Sequence, residues 1–182
     1  REDCFLTTEL LEGTSLEATL AVALERGEPA PLEQMLKVFG EVLEALVQCG
    51  PNVHGDLRPS NVLLGSRGEV KLVGFGCPPL VLAPGAVAVS PDRLARLPPE
   101  LFREGGHPTA ASDVFSFGLV LFELLLCRLP KRGRGGGILD PKALQALPGA
   151  LRDLAIRCTS PDPSRRYTGG GDLRRAIEAA FP

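Results

Sequence analysis

The sequence has 182 residues, of which 44% are hydrophobic, and its formal net charge at pH 7 is -2. This length is enough for one domain with its own core, and the near-neutral charge argues against nucleic-acid binding through a strongly basic surface. The N-terminal residues do not have the pattern of a signal peptide. The longest apolar stretch, Val114 to Leu126, is short for a membrane span and is predicted to be a buried core helix.

The cysteines argue against a disulfide framework and against a zinc site. Their number is odd, and no C-x-x-C pair occurs in the sequence. Reduced thiols in a cytoplasmic protein are the simpler interpretation. The five residues are Cys4, Cys49, Cys77, Cys127 and Cys158.

The N-terminal part of the chain is predicted to contain one strand and two helices. Cys4 to Leu11 has the composition of a short buried strand, which runs into a turn at Glu12-Gly13-Thr14. Ser15 is placed to cap a helix that continues through Leu24. Leu32 to Val47 is strongly amphipathic, because its apolar residues recur at helical spacing.

The middle of the chain combines a polar loop, a hairpin and a long irregular segment. Residues 53–61 form the loop, and Val62-Leu63-Leu64 and Val70-Lys71-Leu72-Val73 flank a glycine-containing turn, so they are predicted to pair as a β-hairpin. Gly74 to Pro99 is rich in proline and glycine and is predicted to be a functional loop or a disordered segment.

The C-terminal part is predicted to be helical. Ser112 is a good cap for the apolar helix after Asp113. Residues 128–137 form a basic, glycine-rich break, and Leu151 to Cys158 and Asp172 to Phe181 follow as two terminal helices.

Five short stretches carry a resemblance. They read His54-Gly55-Asp56-Leu57-Arg58-Pro59-Ser60-Asn61, Gly74-Phe75-Gly76, Pro98-Pro99-Glu100, Ser112-Asp113-Val114-Phe115-Ser116-Phe117-Gly118 and Asp162-Pro163-Ser164-Arg165-Arg166. In this order they resemble the H-R-D-L-x-x-x-N catalytic loop, D-F-G, A-P-E, S-D-V-W-S-F-G and D-P-x-x-R motifs of protein kinases. The style is closest to the tyrosine-kinase and tyrosine-kinase-like groups.

The resemblance implies the fold class and the division of the chain. The expected fold is mainly α, that of a protein-kinase-like C-terminal lobe: a helical bundle with a small β-hairpin, with the N-terminal lobe absent from this chain. Residues 1–14 would be the hinge region, 54–61 the catalytic-type loop, 74–100 the activation segment and 112–182 the helical subdomain.

The same resemblance assigns catalytic and metal-binding roles. Asp56 occupies the place of the carboxylate that orients the substrate hydroxyl, and Arg58 that of a phosphate-facing cation. Asn61 matches the residue that helps to hold a second magnesium ion. Gly74, however, replaces the metal-binding aspartate of D-F-G and offers no side-chain oxygen.

Other parts of the phosphotransfer apparatus are also missing. Gly55 replaces the arginine that usually pairs with a phosphorylated activation segment, and no glycine-rich loop or strand lysine precedes the expected hinge. No cofactor is therefore assigned, and ATP and magnesium are expected only if an N-terminal lobe is supplied. Losing electrostatic stabilisation of this kind typically costs about 10²-fold or more in rate.

Several of these residues have a structural interpretation beside the functional one. His54 is expected to organise the loop backbone from the core, and Asp56 and Asn61 can do the same instead of contacting substrate and metal. Asp113 is expected to accept backbone donors from the catalytic-type loop, to cap a helix, or both. Glu100 and Arg166 resemble a buried ion pair.

The function predicted from the sequence is that of a pseudokinase, a protein-interaction or regulatory module in signalling. The alternative is a fragment or variant of an active ATP-dependent protein kinase, and a degraded relic with little function is a third possibility. The basic residues Lys131, Arg132 and Arg134 are either a solvated loop or a docking patch for an acidic partner or anionic lipid.

Overall fold

The described chain is mostly helical, with one small antiparallel sheet. The computed structural model describes residues 9–28, 31–48, 53–75, 90–126, 128–133, 135–138, 140–147 and 149–181. The strands are β1 (Gly13–Ser15), β2 (Val62–Gly65) and β3 (Val70–Leu72). The helices are α1 (Leu16–Arg26), α2 (Leu32–Gln48), α3 (Pro91–Arg96), α4 (Ala110–Leu126), α5 (Pro141–Ala146), α6 (Gly149–Cys158) and α7 (Gly170–Ala180).

The sheet contains the predicted hairpin and one further strand. β2 and β3 pair antiparallel, with Val62 opposite Leu72, and this confirms the hairpin. β1 pairs with the other edge of β2, so the turn predicted at residues 12–14 is wrong at Gly13 and Thr14. The described part of the predicted strand Cys4 to Leu11, residues 9–11, is not a strand, and residues 4–8 lie outside the described residues.

α1 begins where the sequence predicts. The Ser15 hydroxyl oxygen accepts a hydrogen bond from the backbone N–H of Ala18 at 3.2 Å, which satisfies one of the free donors of the first turn. The helix ends at Gly27, whose φ of 66° lies in the left-handed region that glycine adopts without strain. α1 therefore continues two residues beyond the predicted end at Leu24.

α4 is the central helix of the core, as its apolar composition predicts. Every residue from Ser112 to Leu124 is buried. The ring of Phe117 packs at 5.4 Å from that of Phe39 on α2, and α4 also contacts α6 and α7. None of the helices in the described ranges has both the length and the apolar character that a membrane crossing requires.

The start of α4 differs from the prediction. Thr109 and Ser112 exchange hydrogen bonds, since each hydroxyl oxygen accepts from the other residue's backbone N–H, at 3.3 and 3.1 Å. This reciprocal arrangement is a capping box in which Thr109 is the cap and Ser112 the third helical residue. The predictions that Ser112 or Asp113 caps this helix are wrong, because the helix begins at Ala110.

The segment Gly74 to Pro99 also contains a helix that the sequence analysis missed. α3 begins at Pro91, and the hydroxyl oxygen of Ser90 accepts from the N–H of Arg93 at 3.3 Å. A serine cap followed by proline is a known signal for a helix start, but the surrounding prolines and glycines obscured it. α5 was likewise not predicted, and α6 and α7 each begin two residues earlier than expected.

Cys158 is the one cysteine within the described residues, and it is free and buried. Burial raises the pKa of its thiol to about 12, because the thiolate would lose its hydration in the core. A thiol with so high a pKa is a poor nucleophile at neutral pH. The other cysteines lie outside the described residues.

Candidate functional site

Asp113 holds the backbone of the catalytic-type loop, residues 54–61, in place. It lies in the first turn of α4, and its two carboxylate oxygens accept hydrogen bonds from the backbone N–H groups of His54 and Gly55 at 2.8 and 2.9 Å. Burial raises the pKa of Asp113 above its ordinary value, although these two hydrogen bonds oppose the shift. Gly55 has a φ of 80°, so an arginine at this position would be strained.

His54 ties the same loop to the end of β3. Its ring is buried, Nδ1 accepts from the backbone N–H of Asp56 at 3.1 Å, and Nε2 lies 2.9 Å from the carbonyl oxygen of Val73. Because Nδ1 must accept, Nε2 carries the proton and donates to Val73. Both ring nitrogens are therefore engaged by backbone groups, and the arrangement gives His54 an organising rather than a proton-transferring position.

Asp56 lies among cations. Its Oδ2 atom is 2.8 Å from Nη2 of Arg93 on α3 and 3.3 Å from Nε of Arg58. The Asp56 side chain is only 9% exposed, so this pairing takes place away from bulk water. The sequence analysis did not single out Arg93, which is 37 residues away along the chain.

Asn61 and Gly74 face each other beside Asp56. Asn61 Nδ2 donates to the carbonyl oxygen of Asp56 at 2.8 Å, so the amide braces the loop. Gly74 has a φ of 85°, and a Cβ atom placed there would lie 3.1 Å from Nδ2 of Asn61. A side chain at position 74 would thus point at the Asn61 amide. Glycine has no side chain, so position 74 contributes no side-chain oxygen beside Asn61.

The described residues do not fit a magnesium ion. Mg²⁺ requires several oxygen ligands near octahedral geometry, usually including carboxylates. Gly74 supplies none, and Oδ2 of Asp56 is shared with two guanidinium groups. Within the described ranges, no group of three or more histidine, cysteine, aspartate or glutamate side chains could hold a metal ion.

Glu100 and Arg166 form a bidentate ion pair outside the catalytic-type loop. Arg166 Nη1 and Nη2 lie 2.7 and 2.8 Å from the two carboxylate oxygens of Glu100, and the Arg166 side chain is fully buried. Burial alone would raise the pKa of Glu100, but hydrogen bonds from Arg166 and Ser112 outweigh it and hold the pKa below its ordinary value. The pair fastens the segment after α3 to the helical core.

A second buried pair was not predicted. Glu123, in the last turn of α4, has its Oε2 atom 2.9 Å from Nη2 of Arg96 on α3, and the Glu123 side chain is 7% exposed. Burial raises the pKa of Glu123 to about 7, while Arg96 opposes the shift. An acid among the leucines and other apolar residues of the C-terminal half of α4 is a signal that could have revealed the need for a partner.

The three basic residues of the predicted docking patch, Lys131, Arg132 and Arg134, have different surroundings. Arg132 donates to the carbonyl oxygens of Ala95, Leu97 and Gly136 at 2.6 to 3.0 Å. Its guanidinium also lies 4.6 Å above the Phe115 ring, and burial lowers its pKa to about 10. Lys131 is exposed, and Arg134 lies outside the described residues.

A cleft of about 900 Å³ lies between α2 and β3. Its walls include Glu44, Val53, Lys71 and the half-exposed Phe75. Asp56 and Asn61 are not among the described residues that line it. Phe75, which does line it, packs its ring 4.5 Å from that of His54.

Comparison with known proteins gives consistent matches along the chain. Residues 1–179 match the family model described as "Protein kinase domain". The serine/threonine-protein kinase PrkC of Bacillus subtilis is 28% identical over 97% of this chain, which covers 29% of PrkC. The serine/threonine-protein kinase PknL of Mycobacterium tuberculosis is 32% identical over 98% of the chain, which covers 48% of PknL.

A plant protein is similar as well. The U-box domain-containing protein 33 of Arabidopsis thaliana is 33% identical over 95% of the chain, which covers 23% of that protein. The chain therefore spans less than half the length of each of these three relatives. Two of them are named serine/threonine kinases, and the expected closeness to tyrosine kinases and tyrosine-kinase-like proteins is not supported.

Proposed function

This chain belongs to the protein kinase domain family, and we propose that it is a pseudokinase domain that acts by binding a protein partner in signalling. Phosphotransfer is absent or very weak, and the partner is recognised by the surface and conformation of the domain. A family fold alone does not give a function, whereas the residues of the site determine which chemistry is available.

The observation that carries the proposal is the pair Gly74 and Asn61. The loop geometry is kept, because Asn61 is held by Asp56 and position 74 faces its amide. The carboxylate that a divalent cation would need at position 74 is missing. In phosphoryl transfer nearly all of the rate enhancement comes from positioning and charge neutralisation, so this single change removes a dominant contribution.

The surroundings of Asp56 support the same conclusion. A carboxylate that orients a substrate hydroxyl must have an oxygen free to accept its hydrogen bond. One of the two carboxylate oxygens of Asp56, Oδ2, is paired with Arg93 and Arg58, so this oxygen is not free to accept from a substrate hydroxyl. In this arrangement the carboxylate is part of the internal ion-pair structure of the domain.

We further propose that the described elements form the C-terminal lobe of the kinase fold. The catalytic-type loop 54–61, the activation segment 74–100 and the helical subdomain 112–182 then follow in order after the hinge region 1–14. The helical core around α4 and the small sheet support this division. ATP and magnesium would meet a complete pocket only with an N-terminal lobe present, and a cytoplasmic location fits the free thiol of Cys158.

The proposed docking patch for an acidic partner is centred on Lys131. Arg132 uses its guanidinium to bind three carbonyl oxygens, so its contribution is to hold the loop in place. Lys131 is exposed next to it and is available to a partner's carboxylates. Arg134 is the third residue of the patch that the sequence predicts, and it lies outside the described residues.

The proposal is tested with the full-length protein, magnesium and ATP. We expect no phosphate transfer from the wild type to itself or to an added protein acceptor. The variant Gly74→Asp is expected to show a magnesium-dependent rise in Tm with ATP, because it restores a carboxylate opposite Asn61. At about 100 times the dissociation constant, this ligand would stabilise the fold by about 2.7 kcal/mol.

Two control variants make the outcome decisive. Gly74→Asn has nearly the same shape and tolerates the left-handed backbone, but it lacks the charge, so no magnesium-dependent rise is expected. Asp56→Asn is the control for any transfer that is observed. Metal-dependent transfer by the wild type that disappears in Asp56→Asn would refute the pseudokinase proposal.

A second candidate function is that of an active serine/threonine kinase, of which this chain is a part. The observation that favours it is the ordered loop around Asp56, where His54, Asn61 and Asp113 all hold the backbone in place. The relatives named as serine/threonine kinases favour it too. Transfer onto serine or threonine by the full-length wild type would establish this candidate.

A further inference from the structure

A groove of about 470 Å³ lies beside α6, in the helical part of the domain. The described residues that line this α6 groove all fall between Gly137 and Arg165, so they include neither Lys131 nor any residue of the catalytic-type loop or the sheet. Pockets that bind ligands usually have volumes of about 300–1,000 Å³. The α6 groove is therefore large enough to take side chains of another molecule.

The glycine-rich segment forms one wall of the α6 groove. Arg132 and Ile138 form an antiparallel bridge, and the N–H of Gly133 donates to the carbonyl oxygen of Gly137 at 2.9 Å. Gly137 packs closely against the loop after α6, because a Cβ atom there would lie 3.1 Å from Cγ of Pro161. The segment that interrupts the helices in the sequence thus closes one side of the groove.

The groove has an apolar part that the domain leaves partly exposed. Ile156 on α6 is 47% exposed, and Ile138 and Leu144 are half-buried. All three side chains line the groove. Because removal of apolar surface from water favours association, an apolar side chain of a partner that covers them would contribute to binding.

Two exposed arginines, Arg157 and Arg165, line the same groove. Among the carboxylates that the structure describes, none forms an ion pair with either guanidinium. Asp162, three residues before Arg165, instead accepts from the N–H and the hydroxyl of Ser164 at 2.9 and 2.8 Å. The arginines therefore retain the charge and the N–H donors that pair with carboxylates of a partner.

Arg157 is held in position without a partner. Its guanidinium lies 4.0 Å over the ring of the buried Tyr167. Stacking on an aromatic ring limits the conformations of a long side chain. Less conformational entropy is then lost when this arginine pairs with a carboxylate, and this favours binding.

We propose that the α6 groove binds a segment of a partner protein in which an apolar side chain is flanked by acidic residues. The apolar side chain covers Ile156, while the carboxylates pair with Arg157 and Arg165. A protein segment fits better than an anionic membrane surface, because lipid recognition typically uses clusters of about 4–8 basic residues. This inference goes beyond the proposed function, since the groove is separate from the docking patch and binds whether or not phosphate is transferred.

The proposal is tested by selection from a library of displayed random peptides, with the full-length wild-type protein as the bait. Enriched peptides are expected to share an apolar residue flanked by aspartate or glutamate. These peptides are then labelled with a fluorophore and titrated with the protein, and binding is read by fluorescence anisotropy. Added salt should weaken binding, because it screens the attraction between exposed charges.

Variants of the full-length protein locate the binding. Arg157→Gln and Arg165→Gln are each expected to weaken it about fivefold or more, since each removes one cation from a charge pair. Ile156→Ala is expected to weaken it as well. Two matched controls, Arg26→Gln on α1 and Lys131→Gln in the docking patch, are expected to leave the affinity unchanged, because neither residue lines the groove.

The fold of the variants is checked by thermal unfolding, and Arg165→Gln and Ile156→Ala are expected to keep the wild-type Tm because both side chains are exposed. The proposal is overturned if no peptide is enriched or if the enriched peptides lack acidic residues. Peptides that bind the double variant Arg157→Gln/Arg165→Gln as tightly as the wild type would overturn it too. So would binding to vesicles of phosphatidylserine and phosphatidylcholine that requires both arginines when no peptide binds.

Discussion

Glu123 is a single residue whose charge has consequences for the stability of the domain. It lies in the apolar helix α4, and its partner Arg96 only partly compensates for the loss of water. The pKa in the folded state is raised to about 7 from an ordinary value of 4.5. The nearby acids Asp92 and Glu17 raise it further.

This raised pKa predicts a pH dependence of unfolding. The folded state binds the Glu123 proton more tightly than the unfolded state, so the stabilising contribution is complete below about pH 4.5 and is lost as the pH rises through 7. The size of the effect is about 3 kcal/mol. We expect Glu123→Gln to remove this part of the difference in unfolding free energy between pH 5 and pH 8, measured with urea.

Glu33→Gln is the matched control, since it makes the same chemical change at an exposed position on α2. It should leave the pH dependence as it is in the wild type. Equal pH dependence in Glu123→Gln and the wild type would contradict a strongly shifted Glu123.

Gly74 and Asn61 illustrate a different kind of effect at the residue scale. The backbone around them is kept in place by His54 and Asp113, but the group that would do the chemistry is absent. The loop is therefore ordered, while glycine at position 74 offers no side-chain oxygen to a cation. The proposed function treats order in a catalytic-type loop and competence for catalysis as separate properties that depend on different residues.

Among the elements, the segment between α3 and α4 is held by a buried ion pair. Arg166, next to the short 3₁₀ turn Pro163–Arg165, holds Glu100 with two hydrogen bonds and the carbonyl oxygen of Ala111 with a third. Its guanidinium also lies 4.7 Å from the centre of the Phe115 ring. The contact joins elements that are 66 residues apart in the sequence.

Removal of one partner of this pair is expected to be costly. Arg166→Gln would leave Glu100 without its cation in a largely buried place, so we expect a loss of about 3–5 kcal/mol in unfolding free energy. Chemical denaturation measures the loss. Arg165→Gln changes the exposed neighbouring arginine and should cost less than about 0.5 kcal/mol. A loss below 1 kcal/mol in Arg166→Gln would mean that the pair contributes little.

For the molecule as a whole, the close approach of α4 and α6 is one of the packing contacts of the core. It is possible because Gly118 has no side chain: a Cβ atom there would lie 2.7 Å from both Cβ of Cys158 and Cγ2 of Thr159. Such distances are well inside ordinary contact, so the two segments would have to move apart. The core of the domain thus depends on a glycine in the middle of its most buried helix.

Two glycine variants are expected to have opposite effects on the stability of the whole domain. Gly118→Ala should lower Tm and reduce the unfolding free energy by about 1–3 kcal/mol through overpacking. Gly40→Ala, in the exposed face of α2 with open space around it, should raise the unfolding free energy by up to about 1 kcal/mol. A stabilising Gly118→Ala would show that α4 and α6 can move apart at little cost.

The sequence predicted most of the helices, the hairpin and the buried character of α4, because these follow from local periodicity and from turn and cap residues. The resemblance to a family also predicts that the loop around Asp56 is the catalytic-type loop, and this stays a prediction. The sequence failed at β1 and at the start of α4. Residues of β1 find their hydrogen-bond partners on the neighbouring strand β2, which the local sequence does not reveal. At the start of α4, the local pattern did not favour Thr109 over Ser112 as the cap.

By itself, the sequence determined that position 74 carries no carboxylate and that the chain folds around one apolar helix, since both depend only on which residues are present and how they repeat. The tertiary structure alone decided that Arg93 covers Asp56 and that Arg96 neutralises Glu123. Any of several arginines could have met these carboxylates. Which ones do so is fixed by the packing of distant segments, because the free energy of an ion pair depends on distance and burial, and neither is encoded in local sequence.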